Sequence, residues 1–342
     1  MERKRGIRDA GFFGILLIVF CTGLLIAAGA GAADKVRFSM DWIIGGQHAI
    51  FFSGLDQGFY QRAGIEPTIH RGFGGTDTVK KVSVGAADFV FADIGAMVIA
   101  RSRGAKVKAL AAIDDKPQYV YFAFKGSGIK SPKDMEGRIL ADSAGSVTRQ
   151  LFPALAAANG LDESKVKWLI VKPALIFQSV LAGKADMAAA FAVNKASLET
   201  QARKQGKEIT GIYFGDWGVD IYTNGLQTSD EMIAKKPDVV RRFLRASLES
   251  MAWTAENRQT AISILLKHHP ALGRKIARAH LEAIFDSALS PNILKEGLGH
   301  IRESKMRRTR DILTQYMKLP TKVPVKELYT LEFLPVIKVK AM

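Results

Sequence analysis

Asp41 and Trp42 stand just beyond a short apolar stretch ending at Met40, and His48 follows a few residues later. A tryptophan at such a strand-end turn can act as a stacking platform for a flat ligand. Wedged inward it is a core residue, and the residues alone leave both readings open. Two further turns, Gly74-Gly75-Thr76 and Ala144-Gly145-Ser146, each open a helical stretch. The first N–H groups of a helix have no partner within it. Such turns, with their hydroxyls, can therefore hold a ligand's carboxylate, carbonyl or phosphate, or can simply be capped. Asp93, ahead of Ile94-Gly95, can likewise accept hydrogen bonds from a ligand or cap the helix that follows. Tyr119, Tyr121, Phe191, Trp217 and Tyr222 also fall near strand ends, where rings either line a pocket or complete a core.

Catalytic constellations are thin. The chain has no phosphate loop of the G-x-x-x-x-G-K-[ST] kind, no H-E-x-x-H and no G-x-S-x-G elbow. Its 6 histidines are scattered, and the adjacent His268-His269 would lie on different helix faces, which suits a metal poorly. Asp114-Asp115 adjoin turn residues and read as carboxylates solvating a loop. No metal site and no cofactor site is expected.

The turns depend on the elements around them, and one phrase recurs among those elements. Val84-Gly85-Ala86-Ala87-Asp88-Phe89-Val90-Phe91-Ala92 returns as Ala182-Gly183-Lys184-Ala185-Asp186-Met187-Ala188-Ala189-Ala190-Phe191. In each copy an apolar helical run ends at a glycine suited to the left-handed conformation, an aspartate sits in the turn, and a buried strand follows. Two such units imply two related α/β lobes with a ligand cleft between them. Strands are expected at Val36 to Met40, Glu66 to His70, Val107 to Ile113, Tyr119 to Phe124, Arg138 to Ala141, Val166 to Val171 and Ile209 to Phe214, alternating with helices such as Ala49 to Arg62. Gly126-Ser127-Gly128 reads as a lobe boundary, with a return to the first lobe over Ile221 to Leu226. From Ser229 to Tyr316 the pattern is helical, and Val240, Phe243, Leu244, Leu248, Met251 and Ala252 mark a buried face.

Residues 1–32 read as a secretory signal peptide. Arg3, Lys4, Arg5 and Arg8 form a basic head, Gly11 to Ala28 carries no charge, and small residues follow up to Ala33. A retained anchor is the alternative for so long an apolar run. Cys21 is the only cysteine, and Val19-Phe20 rather than small residues precede it, which argues against lipidation. The exported chain would hold no cysteine, which excludes disulfides, thiolate nucleophiles and cysteine-ligated metals. The net charge of +16 falls to +14 without the segment's four basic and two acidic residues. The basic residues are spread along the chain with no nucleic-acid-binding motif, so no nucleic-acid partner is expected.

Taken in order, several phrases resemble a known family: Phe38-Ser39-Met40-Asp41-Trp42 with Gln47-His48-Ala49, Asp56-Gln57-Gly58-Phe59-Tyr60 with Ala63-Gly64-Ile65, Gly85-Ala86-Ala87-Asp88-Phe89, Pro132-Lys133-Asp134-Met135-Glu136-Gly137, and Trp217-Gly218-Val219-Asp220. The chain is similar over roughly residues 36 to 320 to periplasmic solute-binding proteins of ABC importers. The branch is the one with binders of thiamine pyrimidine precursors, sulfonates, taurine and nitrate. The resemblance implies a two-lobe type II periplasmic binding protein fold, its cleft closing about a two-strand hinge. One lobe would comprise residues 36–124 and 226–342 and the other residues 125–225. It also implies a monomer in the periplasm that passes a small molecule to an inner-membrane ABC permease with its ATPase.

Within that branch, the Asp41-Trp42…His48 phrase is most similar to the pyrimidine-precursor binders. By that likeness Trp42 would stack on a planar ring, Asp93, Ser146 and Asp220 would supply hydrogen bonds, and Phe191 or Trp217 would close the other face. The ligand-binding set is then Asp41, Trp42, His48, Gly75, Thr76, Asp93, Tyr119, Ser146, Phe191, Trp217 and Asp220. The branch commonly has Asn and Pro between the tryptophan and the histidine, whereas this chain has Ile43-Ile44-Gly45-Gly46-Gln47, so the ligand can differ. An anion receptor using Gly75, Thr76, Ser146 and Arg149 is the alternative. An enzyme resembling the fungal thiamine pyrimidine synthase would need a cysteine-rich motif and a cofactor lysine that the chain lacks.

Overall fold

Val36 and Phe38 are buried while Lys35 and Arg37 face water, the period-2 alternation of a strand with one face on a core. This strand, β1 (Asp34–Ser39), pairs in parallel with β2 (Ile65–His70) and β3 (Phe89–Asp93), the latter buried along its whole length. With β4 (Val107–Ala112) and β10 (Asn224–Ser229) they form a first sheet of order β2-β1-β3-β10-β4. The second sheet contains β5 (Tyr119–Phe124), β6 (Ile139–Asp142), β7 (Lys167–Ile170), β8 (Met187–Phe191) and β9 (Ile209–Tyr213), in the order β7-β6-β8-β5-β9. The computed structural model describes residues 32–144 and 146–339. The signal peptide expected over residues 1–32 and the turn residue Gly145 therefore fall outside the described residues, save for Ala32.

The two sheets repeat one plan, and the fourth strand of each, β10 or β5, is the strand entered from the other lobe, antiparallel to its neighbours. The recurrent phrase explains the third. Gly85 and Gly183 both take φ of 70°, ending α3 (Gly75–Ser83) and α6 (Ile176–Leu181). The aspartate then clasps the neighbouring parallel strand, β1 or β6, in the same way twice. The Asp88 carboxylate accepts from the Arg37 N–H at 2.7 Å, and the Asp186 carboxylate from the Ile139 N–H at 2.8 Å. Each aspartate's own N–H returns a bond to the carbonyl of that residue.

The remaining helices cover the sheets. α1 (Ala49–Asp56) and α2 (Phe59–Arg62) lie between β1 and β2, and α4 (Ile94–Ser102) follows β3. The single helix expected over Ala49 to Arg62 is broken at Gly58, which sits at φ 70°. The second lobe has α5 (Val147–Asn159) and α7 (Lys195–Arg203) beside α6. The C-terminal part supplies α8 (Asp230–Lys235), α9 (Pro237–Glu256), α10 (Arg258–His268), α11 (Arg274–Ala288), α12 (Pro291–Glu296) and α13 (Glu303–Tyr316). On α9, Val240, Phe243, Leu244, Leu248 and Met251 are buried as their spacing requires, with Phe243 stacked on Phe89 at 3.9 Å between centroids, and Ala252 is partly buried.

One boundary differs from expectation. Tyr119–Phe124, placed by its sequence in the first lobe, pairs with β8 and β9 of the second. The chain thus crosses between sheets at residues 113–118, ahead of the glycine turn at 126–128. A second crossing at residues 218–223 leads into β10. α13 braces both crossings. Lys305 Nζ donates to the Asp115 carbonyl and to Asp220 Oδ1, Arg302 pairs with the Asp115 carboxylate at 2.9 Å, and Thr309 Oγ1 accepts from the Tyr222 N–H at 3.0 Å. Asp114-Asp115, expected to solvate a loop, are both buried, because their segment is the connection between lobes.

Candidate functional site

The C-terminal ends of β1, β3 and β4 and the start of β10 meet at the lobe junction, and the polar groups there are joined in one network. The buried His48 accepts the Gly45 N–H at Nδ1, 3.0 Å away, which fixes the tautomer with its proton on Nε2. Nε2 lies 2.7 Å from Asp41 Oδ1 and donates to it. Asp41 Oδ2 accepts from Asn224 Nδ2 at 3.1 Å, and the Asn224 N–H donates to Asp114 Oδ2 at 3.4 Å. Asp114 also accepts from Ser287 Oγ of α11 at 2.5 Å and from Thr223 Oγ1 at 3.4 Å. Burial pushes the Asp114 carboxyl up to about 7, with the nearby Asp41 charge adding to it against the lowering by its hydrogen bonds.

Asp93 caps α4, accepting the Ala96 N–H at 2.6 Å, and takes the Tyr119 hydroxyl proton donor from the other lobe on its second oxygen. Burial pushes this carboxyl up to about 6, opposed by those hydrogen bonds and reinforced by Asp41. The Tyr119 hydroxyl is raised well above its ordinary range by burial and by the Asp93 charge. A glycine is required at position 75 for close approach, since a Cβ there would stand 2.9 Å from Asp93 Cβ. One strand pair further along, Tyr121 donates to Asp142 Oδ2 at 2.8 Å, and Ser146, which caps α5, also bonds Asp142.

Beside this floor lies a cavity of about 200 Å³ between the lobes. Its walls are the Trp42–Gln47 loop, Leu272 and Gly273 ahead of α11 with the first turns of that helix up to His280, and Asn194 of the second lobe. Among the described residues, no lysine or arginine lines it. Trp42 is 42% exposed, so of its two sequence readings the buried one is set aside. Gly45-Gly46, at the departure from the usual Asn and Pro, has a packing reason. A Cβ at Gly46 would come within 1.7 Å of the Ala277 carbonyl oxygen, so only glycine lets α11 approach.

Asp41, Trp42, His48, Asp93 and Tyr119 thus stand together, with Gly75 against Asp93 and Phe191 in ring contact with Tyr119 at 5.5 Å. Thr76 is exposed at the start of α3. Ser146 belongs to the Asp142 cluster, and Trp217 is half-buried against the core, its carbonyl accepting from Asn159 Nδ2 at 2.9 Å. Asp220 is taken by Lys305 at 2.5 Å and Arg308 at 3.1 Å, apart from the cavity. The expected ligand-binding set omits Gln47, Asp114, Asn194, Asn224 and His280. Gln47 lies inside the departing segment Ile43–Gln47, the one signal that pointed toward it; the others are joined to the site only by the tertiary fold.

The two lobes of like topology and the cleft between them define the class: a chain with the periplasmic-binding-protein fold. The chain belongs to the NMT1/THI5 like family, whose model matches residues 46–261. It is 26% identical over 357 residues to the riboflavin-binding protein RibY of Chloroflexus aurantiacus, covering 97% of this chain and 98% of that protein. A formylaminopyrimidine-binding protein of Halalkalibacterium halodurans is 21% identical over 76% of this chain and 80% of its own length. A 4-amino-5-hydroxymethyl-2-methylpyrimidine phosphate synthase of Legionella pneumophila is 23% identical over 70% of this chain and 75% of its own. Among solved structures, the periplasmic aliphatic sulphonate binding protein SsuA of Escherichia coli superposes with a TM-score of 0.66 at 14% identity, over 90% of this chain and 94% of that one.

Proposed function

We propose that this chain is the extracytoplasmic subunit of an ABC importer, exported through residues 1–32, that captures a small uncharged nitrogen heteroaromatic of the pyrimidine type and delivers it to a membrane permease with its ATPase. The observation that carries this reading is the half-open Trp42 ring on an interlobe cavity that, among the described residues, no lysine or arginine lines. A flat ring gains from stacking there, while an anion finds no cation in the lining. The half-buried Asp41 carboxylate beside the cavity further disfavours a sulfonate or nitrate. A cavity of about 150 Å³ admits benzene, so the space beside Trp42 suits a single six-membered ring. Two relatives whose names specify riboflavin and formylaminopyrimidine, both nitrogen heteroaromatics, support the same class. For the synthase reading, the chain beyond residue 32 has no cysteine and Phe89 to Ala100 has no lysine, which supports binding rather than catalysis.

The test is a thermal-shift screen of protein unfolded and refolded to strip carried-over ligand, against pyrimidines, riboflavin, sulfonates, taurine and nitrate. A ligand at a hundred times its Kd stabilises by about 2.7 kcal/mol, a readily measured shift. Heteroaromatics are expected to shift the transition, and Trp42→Ala is expected to abolish that shift while leaving the free protein's transition in place. A shift with sulfonates or nitrate alone overturns the heteroaromatic reading.

A further inference from the structure

Among the described residues, two polar side chains at the cavity carry groups left without partners. Gln47 is only 8% exposed and its Oε1 meets no hydrogen-bond donor. His280, on α11, has both ring nitrogens buried and unbonded. Both residues line the same cavity, and an added Cβ at Gly45 between them would lie 2.6 Å from Gln47 Oε1 and 3.3 Å from His280 Nδ1. Buried polar groups in folded proteins are almost always paired, so orphaned groups on two side chains that line one cavity mark where a partner belongs. The neighbouring His48, by contrast, has both nitrogens engaged within the chain.

We propose that Gln47 and His280 form a recognition edge that reads an adjacent donor and acceptor on the ligand ring, such as the amino group and ring nitrogen of a 4-aminopyrimidine or the N–H and carbonyl of a lactam. This rests on the heteroaromatic reading above and adds which ring edge is selected and by which residues. A neutral imidazole offers one donor and one acceptor, and a glutamine amide offers both kinds of group. An edge carrying a donor beside an acceptor gives Gln47 Oε1 its donor and the imidazole N–H its acceptor, whereas an acceptor-only group such as a sulfonate leaves Gln47 Oε1 without a donor. Burial lowers the His280 pKa, with His48 nearby adding to the effect, which favours the neutral ring. Asn194 brings the second lobe to the same cavity, its Oδ1 already accepting from the Phe191 N–H at 3.3 Å.

The experiment is isothermal titration of the purified, ligand-stripped protein at pH 7.5 with 4-amino-5-hydroxymethyl-2-methylpyrimidine, its analogue bearing a methyl in place of the amino group, and riboflavin. The parent is expected to bind at least one polar-edged ring, and to prefer the aminopyrimidine over its methyl analogue at least tenfold if it is the pyrimidine that binds. His280→Phe and Gln47→Leu should each weaken that binding at least tenfold and erase the preference, while the free proteins melt no lower than the parent, because an unpaired buried polar group is removed. If either variant fails to fold, His280→Asn and Gln47→Met carry the same comparison. Affinities within twofold of the parent overturn the recognition edge while leaving the heteroaromatic reading intact if Trp42→Ala still abolishes binding. A parent that binds none of the three rings overturns both.

Discussion

Asp114→Asn is the sharpest probe of the lobe junction. Asp114 is fully buried, accepts from Ser287, Thr223 and Asn224, and is pushed up to about 7 from an ordinary 3.8 because burial penalises its charge. The folded state therefore holds this proton more tightly than the unfolded chain does, and unfolding between those two values releases it. Stability falls as pH rises through that window, by about 1.4 kcal/mol per unit, and levels off above the folded value. From pH 5 to 7 the group should cost the parent about 2 kcal/mol, and about 3 kcal/mol by pH 8, since it is half ionised at the folded value. Asparagine keeps an acceptor oxygen and cannot ionise, so the variant loses this slope. Asp93, pushed up to about 6 by burial, is present in both proteins and largely cancels in the comparison. Urea denaturation of both at pH 5 and pH 8 reads the effect, and the variant should gain about 3 kcal/mol on the parent between them. A difference that stays flat within about 0.5 kcal/mol would mean that Asp114 titrates as an ordinary carboxylate, and the argument from its burial would be refuted.

Gly46→Ala should destabilise by about 3 kcal/mol or more, because the added carbon would stand 1.7 Å from a backbone oxygen of α11 and that helix must move; a urea midpoint equal to the parent's would contradict the close approach. Lys305→Met should cost about 2 kcal/mol, below the about 3–5 kcal/mol usual for breaking a buried pair, since Asp220 keeps Arg308 and is itself 37% exposed. Its readout is the melting temperature, and no decrease would mean that α13 does not brace the crossings. Tyr121→Phe should lower stability by about 1 kcal/mol by removing one donor to the buried Asp142, measured as a shift in denaturation midpoint.

The lobes were legible because their signals are local. A glycine able to take positive φ, an aspartate in the turn, and a buried apolar strand are properties of a few consecutive residues, and Gly85-Asp88 and Gly183-Asp186 behave alike in both copies, although the strand each aspartate bonds is distant in sequence. The α9 face was legible for the same reason, through its helical period. The boundary was misplaced because strand partners are not local. Nothing in Tyr119–Phe124 says whether it pairs with β3 or with β8, and the glycines at 126 and 128 were the more visible punctuation, though they turn within the second lobe.

What the sequence determined by itself was the repeat, the helical C-terminal part and the core-facing periodicities, along with the lack of cysteine beyond residue 32. Only the tertiary structure decided the chemistry of the site. Asp114-Asp115 has the look of a solvated turn until the crossing buries it, and Trp42 is ambiguous until the cavity beside it is seen. Gln47, Asn194 and His280 come from three distant parts of the chain and meet only where α11 and the second lobe close on the Trp42 loop. The physical reason is that periodicity and turn chemistry act over a few residues, whereas burial and the loss of hydration that turns a polar side chain into a binding group are set by neighbours far away in sequence.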